Sequence, residues 1–404
     1  MRRRLPWLIV VVVLLVAIPV VWKLGGHWRQ WFSDGGDDDP APISSADLSG
    51  FGAGSLESAT TMPAFAHSRE GRLVESARVV YRSTSGDTGQ ETVVSGTVFT
   101  PRSKAPDGGW PVIAFGHGST GLDEPCAPSL SDNLLGFSSI VVGFASKGYA
   151  VALPDYQGLG SPGVHPYTDA RTAGLNMIDA VRALRHTFPD VSDRWAAVGG
   201  SQGGAAAWAA DEQAGSYAPE LGLVGAVALV PSADVTGIVD KAVANTMTED
   251  QALAYQGLVE SLARLHPDVN RDDYRRGDAA RYWELLSACS GPKVLDRTAA
   301  AETVRVEDFT PASPAAADRL RGLLKAWALP QRPLSAPLSV TYSGRDGFID
   351  AQWTTDAIAR ACALGGTVVW QLEPGKGHGD FDLNTQFDWI EDRFAGKPAT
   401  NECR

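Results

Sequence analysis

The sequence predicts an α/β protein with a mostly parallel sheet of eight strands, and three observations support that prediction. Short apolar runs recur along the chain, as buried parallel strands require. Apolar residues at helical spacing, as in residues 170–186, separate two of these runs. In residues 195–205 an apolar run ends at Gly199-Gly200-Ser201-Gln202-Gly203, and an alanine-rich helical pattern follows directly. The last pattern is typical of a strand, a tight turn and a helix in succession.

The expected strands can be placed in order along the chain. The first two alternate apolar and polar side chains, which indicates an antiparallel opening of the sheet, and the rest include short apolar runs. In chain order they are residues 77–81, 91–99, 111–115, 149–153, 195–198, 223–229, 337–342 and 367–372. Eight such strands with interleaved helices predict an α/β-hydrolase fold.

The strand pattern stops between residues 231 and 333. Helical patterns replace it at residues 249–265, 279–289 and 315–327. Because this segment falls between the expected sixth and seventh strands, we expect a helical cap there. The cap is either a lid that shapes an acyl pocket or a passive stabilising addition. Residues 55–230 and 334–404 then form the two parts of one catalytic core.

The sequence around Ser201 has the features of a nucleophile elbow. In such an elbow the serine lies on a strained turn, so the residues two before and two after must be small. Gly199 and Gly203 occupy those positions. The alternative is a serine-glycine turn with a surface or packing role. A serine hydroxyl is a weak nucleophile until a neighbouring base accepts its proton, so the elbow requires further partners.

Candidate partners follow the serine in the chain order that this fold requires, the acid first and the histidine last. Asp346 lies in the turn after residues 337–342, and His378 lies between two glycines after residues 367–372. Asp350 is the alternative acid, although it could instead cap the following helix. For His378 the alternative is a capping or surface role.

The negatively charged oxygen that forms during acyl transfer needs backbone N–H donors. We expect one donor to be the N–H of Gln202, the residue after the nucleophile. The other is expected on Ser119, with Gly118 or Thr120 as neighbours, in a glycine-rich loop after the third strand. His117 in the same loop precedes the nucleophile, the wrong order for the base, and is interpreted as loop architecture.

Several motifs resemble the secretory lipases of fungi and actinobacteria over roughly residues 55–395. They are Val151-Ala-Leu-Pro-Asp-Tyr-Gln-Gly-Leu-Gly160, Pro162-Gly-Val-His-Pro-Tyr167, residues 79–86 with 94–101, Cys126-Ala-Pro-Ser129 and the serine, aspartate and histidine motifs. The resemblance implies carboxylic-ester hydrolysis beneath a helical cap, with Ser201, Asp346 and His378 as the triad. The sequence departs from the family pattern at Asp350, a position where secretory lipases often have a proline. His165 is interpreted as part of a structural loop.

The resemblance implies a serine hydrolase that forms an acyl-enzyme and cleaves small-molecule or lipid esters, with acylglycerols as candidates. A peptidase or acyltransferase using the same triad is the alternative. A protein of this fold that binds without catalysis is expected to have a broken triad, and none of the three members is missing here. The expected reaction needs no cofactor.

The N-terminal residues predict export. Residues 5–22 are apolar and follow three arginines, and their length reaches the lower limit for a membrane-spanning helix. No small-residue cleavage site follows, which favours an uncleaved signal anchor in residues 1–23 over a cleaved signal peptide. Residues 24–54 are polar and rich in serine and glycine, so we expect a flexible tether. The catalytic part is expected outside the cell or at its surface.

Charge and cysteine content agree with an exported enzyme. The net charge is −12, and residues 1–23 carry four basic residues and no acidic ones, which leaves −16 on the remainder. A domain with this negative charge is repelled by nucleic acids and anionic lipid surfaces. Four cysteines predict two disulfides among three possible pairings, and none has the short spacing of a zinc site. With the family resemblance, we expect the pairs Cys126–Cys289 and Cys362–Cys403.

Overall fold

Within residues 39–289 and 291–403, which the computed structural model describes, nine strands form one sheet. In chain order they are β1 Leu56–Thr60, β2 Val74–Thr84, β3 Glu91–Pro101, β4 Trp110–Gly116, β5 Ala150–Pro154, β6 Val191–Gly200, β7 Gly222–Leu229, β8 Leu338–Ser343 and β9 Val368–Glu373. Their spatial order is β1-β2-β3-β5-β4-β6-β7-β8-β9. The pairs among β1, β2, β3 and β5 are antiparallel, and the remaining pairs are parallel.

This topology confirms the α/β-hydrolase fold, but the expected number of eight strands is wrong. The additional strand is β1, which pairs antiparallel with β2 and buries only Leu56 and Ala59 among its five residues. A bulge between Leu56 and Ser58 interrupts its pairing. Because β1 is short and lacks a regular apolar alternation, its sequence gives no clear strand pattern. The helical segment therefore follows the seventh strand and not the sixth.

Helices cover both faces of the sheet. The α-helices are α1 Pro63–His67, α2 Ser138–Ser146, α3 Ala170–Thr187, α4 Gln202–Tyr217, α5 Ile238–Ala244, α6 Glu249–Leu265, α7 Gly277–Leu286, α8 Lys293–Ala301, α9 Pro314–Trp327, α10 Ala351–Ala363 and α11 Asn384–Phe394. Alternate residues of β4 point to opposite faces, as a strand requires. Val112 packs in a core with α3, α4 and α10, whereas Ile113 packs in a second core with α2 and α11.

The segment between β7 and β8, residues 230–337, contains α5 to α9 and is called the helical insert below. It has an apolar core of its own, in which Tyr255, Trp283 and Phe309 are fully buried. The patterns at residues 249–265, 279–289 and 315–327 correspond to α6, α7 and α9. Neither α5 nor α8 was expected, because helices of seven and nine residues show too few turns for a clear periodicity.

Residues 41–47 contact the core, within the stretch up to residue 54 where a flexible tether is expected. The N–H of Ile43 donates to the carbonyl of Ala59, and the N–H of Asp47 donates to the carbonyl of His186. Ile43 and Ala46 also pack against the core that contains α3. These contacts hold residues 41–47 against the core, within the stretch where a flexible tether was expected. The anchor expected at residues 1–23 lies outside the described residues.

Both expected disulfides are present. Cys126–Cys289 joins the loop after β4 to the helical insert, across 163 residues of sequence. Cys362–Cys403 joins α10 to the C-terminal tail. The tail is also held by backbone, since the N–H of Glu402 donates to the carbonyl of Val368 on β9. These covalent links restrict the unfolded chain and so favour the folded state.

Two adjacent buried carboxyl groups on α4 hold the chain where it returns from the helical insert to β8. Asp211 accepts the N–H groups of residues 335–336 at 2.9 and 2.8 Å, and Glu212 accepts those of residues 331–332 at 3.0 and 3.2 Å. Burial raises the pKa of Asp211 to about 8 and the pKa of Glu212 to about 7. Both groups therefore keep a proton in the folded protein up to a higher pH than they do in the unfolded chain.

This burial predicts a loss of stability with rising pH. The folded state retains a proton on Asp211 that the unfolded chain releases above about pH 4. The free energy of unfolding should therefore fall towards pH 8, with a contribution from Asp211 of up to about 1.4 kcal/mol per pH unit. Asp211→Asn keeps an oxygen that can accept both N–H groups, so it should remove this contribution.

Urea unfolding at about pH 5 and about pH 8 measures the effect. Asp388→Asn, at an exposed aspartate on α11, is the matched control and should keep the wild-type dependence. An equal pH dependence in wild type and Asp211→Asn would contradict the assignment.

Candidate active site

Ser201 lies at the turn from β6 to α4, with φ 57° and ψ −120°. A residue other than glycine at positive φ is strained, and such strain persists only where the surrounding structure holds it. The N–H of Ser201 donates to the carbonyl of Leu229 at 2.9 Å, and its carbonyl accepts the N–H of Ser232 at 3.2 Å. The end of β7 and the residues after it therefore hold the turn on both sides.

Glycines let the turn at Ser201 form without overlap. A Cβ atom on Gly203 would overlap the carbonyl of Gly116 at the end of β4, and a Cβ on Gly199 would overlap the carbonyl of Gly203. Helix α4 therefore begins in direct contact with the end of β4. This contact is the physical reason why small residues occupy both positions of the sequence pattern.

The structure brings Ser201, His378 and Asp346 together in one line of hydrogen bonds. The Oγ of Ser201 lies 2.9 Å from Nε2 of His378, and Nδ1 of His378 lies 2.7 Å from Oδ2 of Asp346. The other oxygen of Asp346 accepts the N–H groups of Phe348 and Ile349 at 2.8 and 2.9 Å. The side chain of Asp346 is 2% exposed and that of His378 is 19% exposed. The carboxylate is thus fixed, whereas the imidazole is open to a ligand.

Backbone contacts hold the acid and histidine loops side by side. The N–H of Gly344 donates to the carbonyl of Glu373 at 3.0 Å, and the N–H of Arg345 donates to the carbonyl of Lys376 at 2.9 Å. The ring of Phe348 packs on the ring of His378, with 4.9 Å between their centroids. The loops after β8 and β9 therefore carry the two side chains at a set separation.

Asp350, the alternative acid, has different partners. Its carboxylate contacts Nζ of Lys241 at 2.8 Å and accepts a hydrogen bond from Nε2 of Gln251 at 2.8 Å. Both residues belong to the helical insert. Asp350 occupies the N-cap position of α10, but its side chain makes no capping hydrogen bond. It therefore links the core to the insert instead of contacting His378 or capping the helix.

The residues expected to supply the N–H donors lie beside Ser201. Gln202 is the first residue of α4, where backbone N–H groups lack partners within the helix. Ser119 lines the same cavity as Ser201, and its Oγ donates to the hydroxyl of Tyr167 at 2.9 Å. Gly118 lies close enough that a Cβ there would be 3.8 Å from Cβ of Ser201.

The two other histidines considered in the sequence are both buried. Burial lowers the pKa of His117, whose Nδ1 donates to the carbonyl of Gly118 at 2.6 Å. Burial also lowers the pKa of His165, to about 4, so its ring is neutral near pH 7. Its Nδ1–H donates to the carbonyl of Gln157 at 2.9 Å, and its Nε2 accepts from the side-chain amide of Gln202 at 3.0 Å.

A network that the sequence did not predict joins this histidine to the helical insert. Ser261 on α6 donates its Oγ–H to the carbonyl of His165 at 2.6 Å and accepts the N–H of Tyr167 at 2.9 Å. The loop carrying His165 and Tyr167 therefore contacts Gln202, Ser119 and the insert at once. The only sequence signal for it was the motif of residues 162–167, which supported a family resemblance without indicating these contacts.

A cavity of about 420 Å³ opens onto Ser201 and His378 and is called the catalytic cavity below. Its other lining is largely apolar and comes mostly from the helical insert and the acid loop, including Val235, Ile238, Leu253, Leu258 and Phe348. Within the described residues, no group of three or more His, Cys, Asp or Glu side chains is arranged to hold a metal ion. The arrangement offers a nucleophile and a base facing an apolar space.

The chain is similar to known lipases in sequence and in structure. It is 24% identical over 347 residues to a probable inactive lipase of Mycobacterium tuberculosis, covering 81% of this chain and 75% of that protein. It is 26% identical over 342 residues to Lipase 6 of Candida albicans, covering 76% and 70%. Candida antarctica lipase A in its closed state has the same fold, with a TM-score of 0.70 and 19% identity over 89% of this chain and 87% of that one.

The strand order and the turn at Ser201 define an α/β-hydrolase. Residues 137–402 match the model of the secretory lipase family, and the chain belongs to that family. It is a carboxylic ester hydrolase that acts on small-molecule esters, and as a member of a secretory family it is an exported protein. In residues 39–289 and 291–403, no helix has the length and hydropathy needed to cross a membrane.

Proposed function

We propose that Ser201, His378 and Asp346 form a catalytic triad that cleaves esters through an acyl-enzyme intermediate. The observation that carries the proposal is the pair of hydrogen bonds, 2.9 and 2.7 Å long, that links the serine to the histidine and the histidine to the aspartate. His378 accepts the proton of Ser201 as Oγ attacks the ester carbonyl, and returns it to the departing alkoxide. Water then releases the acid, again with His378 as the base.

Asp346 contributes by orientation and charge in this proposal. Its carboxylate accepts the Nδ1–H of His378, which leaves Nε2 free to take the serine proton and stabilises the imidazolium that forms. The backbone N–H groups of Gln202 and Ser119 donate to the oxygen that becomes negatively charged. Each such donor contributes about 3 kcal/mol to transition-state stabilisation.

The apolar lining of the catalytic cavity supports an ester with a hydrocarbon group. Because most of that lining comes from the helical insert, we propose that the insert is a cap that shapes the acyl pocket. Hydrolysis of p-nitrophenyl esters of increasing acyl length, with and without an emulsified interface, tests this substrate class. Activity restricted to the interface indicates a lipase, whereas activity on dissolved substrates indicates an esterase.

Ser201→Ala should lower turnover of p-nitrophenyl esters by about three or more orders of magnitude, because it removes the nucleophile. Circular dichroism should show an unchanged fold. Ser146→Ala, at an exposed serine on α2, is the control and should retain full activity. Near-normal turnover by purified Ser201→Ala would refute the triad.

Replacing Asp346 or Asp350 by asparagine distinguishes the roles of these two residues. Asp346→Asn should lower kcat by about three to four orders of magnitude, because the new amide NH2 faces Nδ1 of His378, favours the wrong tautomer and supplies no negative charge. Asp350→Asn removes only the ion pair with Lys241 and should cost much less. Steady-state kinetics on one soluble ester compares the variants. The reverse ranking would assign the acid to Asp350.

His165 is predicted to position Gln202 for the reaction. His165→Phe removes the acceptor of the buried Gln202 amide, and an unpaired buried amide costs about 1–3 kcal/mol. We expect kcat to fall about tenfold with little change in KM, because His165 does not line the catalytic cavity.

A double-mutant cycle separates this role from simple stabilisation. If His165 acts through Gln202, then His165→Phe combined with Gln202→Met should be no slower than Gln202→Met alone. A lower melting temperature with unchanged kcat would leave His165 with a structural role only.

A further inference from the structure

A second cavity, of about 220 Å³, adjoins the catalytic cavity and is called the side cavity below. Ser119, Tyr167, Leu253 and Arg297 line both spaces and so separate them. The remaining lining of the side cavity comes from the loop after β4 and from the helical insert, next to the Cys126–Cys289 disulfide. A ligand that extends past these shared residues would occupy both cavities.

The side cavity is more polar than the catalytic cavity. It is lined by the hydroxyl-bearing Thr120 and Ser287 and by the amide-bearing Gln256. The Oγ1 of Thr120 is buried and has no hydrogen-bond partner among the described residues. A buried hydroxyl without a partner is uncommon, because leaving it unpaired costs free energy.

Arg297 on α8 supplies an unneutralised positive charge at the junction. Its Nε donates to the carbonyl of Leu286 at 2.8 Å, which fixes the side chain in a partly buried position. No carboxylate among the described residues forms an ion pair with it. Five of the other nine arginines of the insert contact a carboxylate within 2.9 Å: Arg264, Arg271, Arg275, Arg319 and Arg321.

None of the acidic side chains in the described part of the chain lines either cavity, although the protein as a whole carries a net charge of −12. The guanidinium retains its charge at any physiological pH, and its terminal N–H groups match the two oxygens of a carboxylate. Partial burial strengthens such a pair relative to one in bulk water. The charge of Arg297 is therefore available to a substrate.

We propose that the side cavity is an anion subsite, and that the enzyme prefers esters bearing a carboxylate remote from the scissile bond, bound by Arg297. The ester carbonyl lies at Ser201, the hydrocarbon part occupies the catalytic cavity, and the carboxylate reaches the guanidinium. This inference rests on the proposed function, because it assigns a substrate class to the same site.

Matched substrates test the proposal. The p-nitrophenyl half-esters of adipic, suberic and sebacic acids carry a free carboxylate on the acyl chain, and the corresponding primary amides are neutral and nearly isosteric. The octanoyl esters of 6-hydroxyhexanoic acid and of 6-hydroxyhexanamide place the same two groups at the far end of the alcohol. In at least one of these series, the wild-type enzyme should cleave the ester that carries the carboxylate with a kcat/KM about tenfold higher than the ester that carries the amide. A difference of this size is expected for a charge-assisted hydrogen bond.

Arg297→Gln should remove this preference, so that kcat/KM falls about tenfold more for the acids than for the matched neutral amide-bearing esters. Arg297→Lys keeps the charge without the planar fork, so it should retain part of the preference. Arg321→Gln is the control, because Arg321 pairs with Asp240 and lines neither cavity. It should behave as wild type.

Two results would overturn the proposal. One is an equal kcat/KM for the carboxylate-bearing and the amide-bearing esters in every series. The other is that Arg297→Gln lowers kcat/KM by the same factor for both kinds of ester. Cleavage of the ester bond in the neutral, amide-bearing substrates distinguishes failure of this proposal from failure of the proposed function. If Ser201→Ala abolishes that hydrolysis but no acid is preferred, the triad stands and only the anion subsite is lost.

Discussion

The contact between the start of α4 and the end of β4 is the constraint on which the site depends. Gly203 lies against the carbonyl of Gly116, so the turn before it must be tight and Ser201 takes a positive φ. Because the sheet is parallel here, the loops after β4, β6, β8 and β9 emerge at the same edge. The strand ends therefore determine where Ser119 and His378 meet the serine.

The helical insert is joined to that edge by three different kinds of contact. Cys126–Cys289 attaches it covalently beside the loop after β4, and the ion pair of Lys241 with Asp350 attaches it beside the acid loop. Ser261 binds it to the loop that contacts Gln202. Since these contacts surround the catalytic cavity, any displacement of the insert changes both the shape of the cavity and the surroundings of the expected N–H donors.

Local patterns in the sequence were sufficient for much of the fold. Helix α6 begins and ends at the residues that its periodicity indicated, Glu249–Leu265, and its Thr248 cap is a local feature. The glycine pattern identified the turn at Ser201, and chain order selected Asp346 and His378, which the structure brings within hydrogen-bonding distance. Their catalytic roles remain a proposal, and the disulfide pairing depended on resemblance to a family.

The sequence by itself determined the strand-turn-helix at Ser201 and the order of its partners, because periodicity and turn chemistry act between near neighbours. Only the tertiary structure decided that β1 joins the sheet, that Asp350 binds Lys241 at a separation of 109 residues, and that Arg297 lies beside the catalytic cavity. These outcomes depend on which distant segments the fold brings into contact. A pattern along one stretch of chain carries no information about such contacts, and so the position of Arg297 between the two cavities emerged only from the packing of the insert on the core.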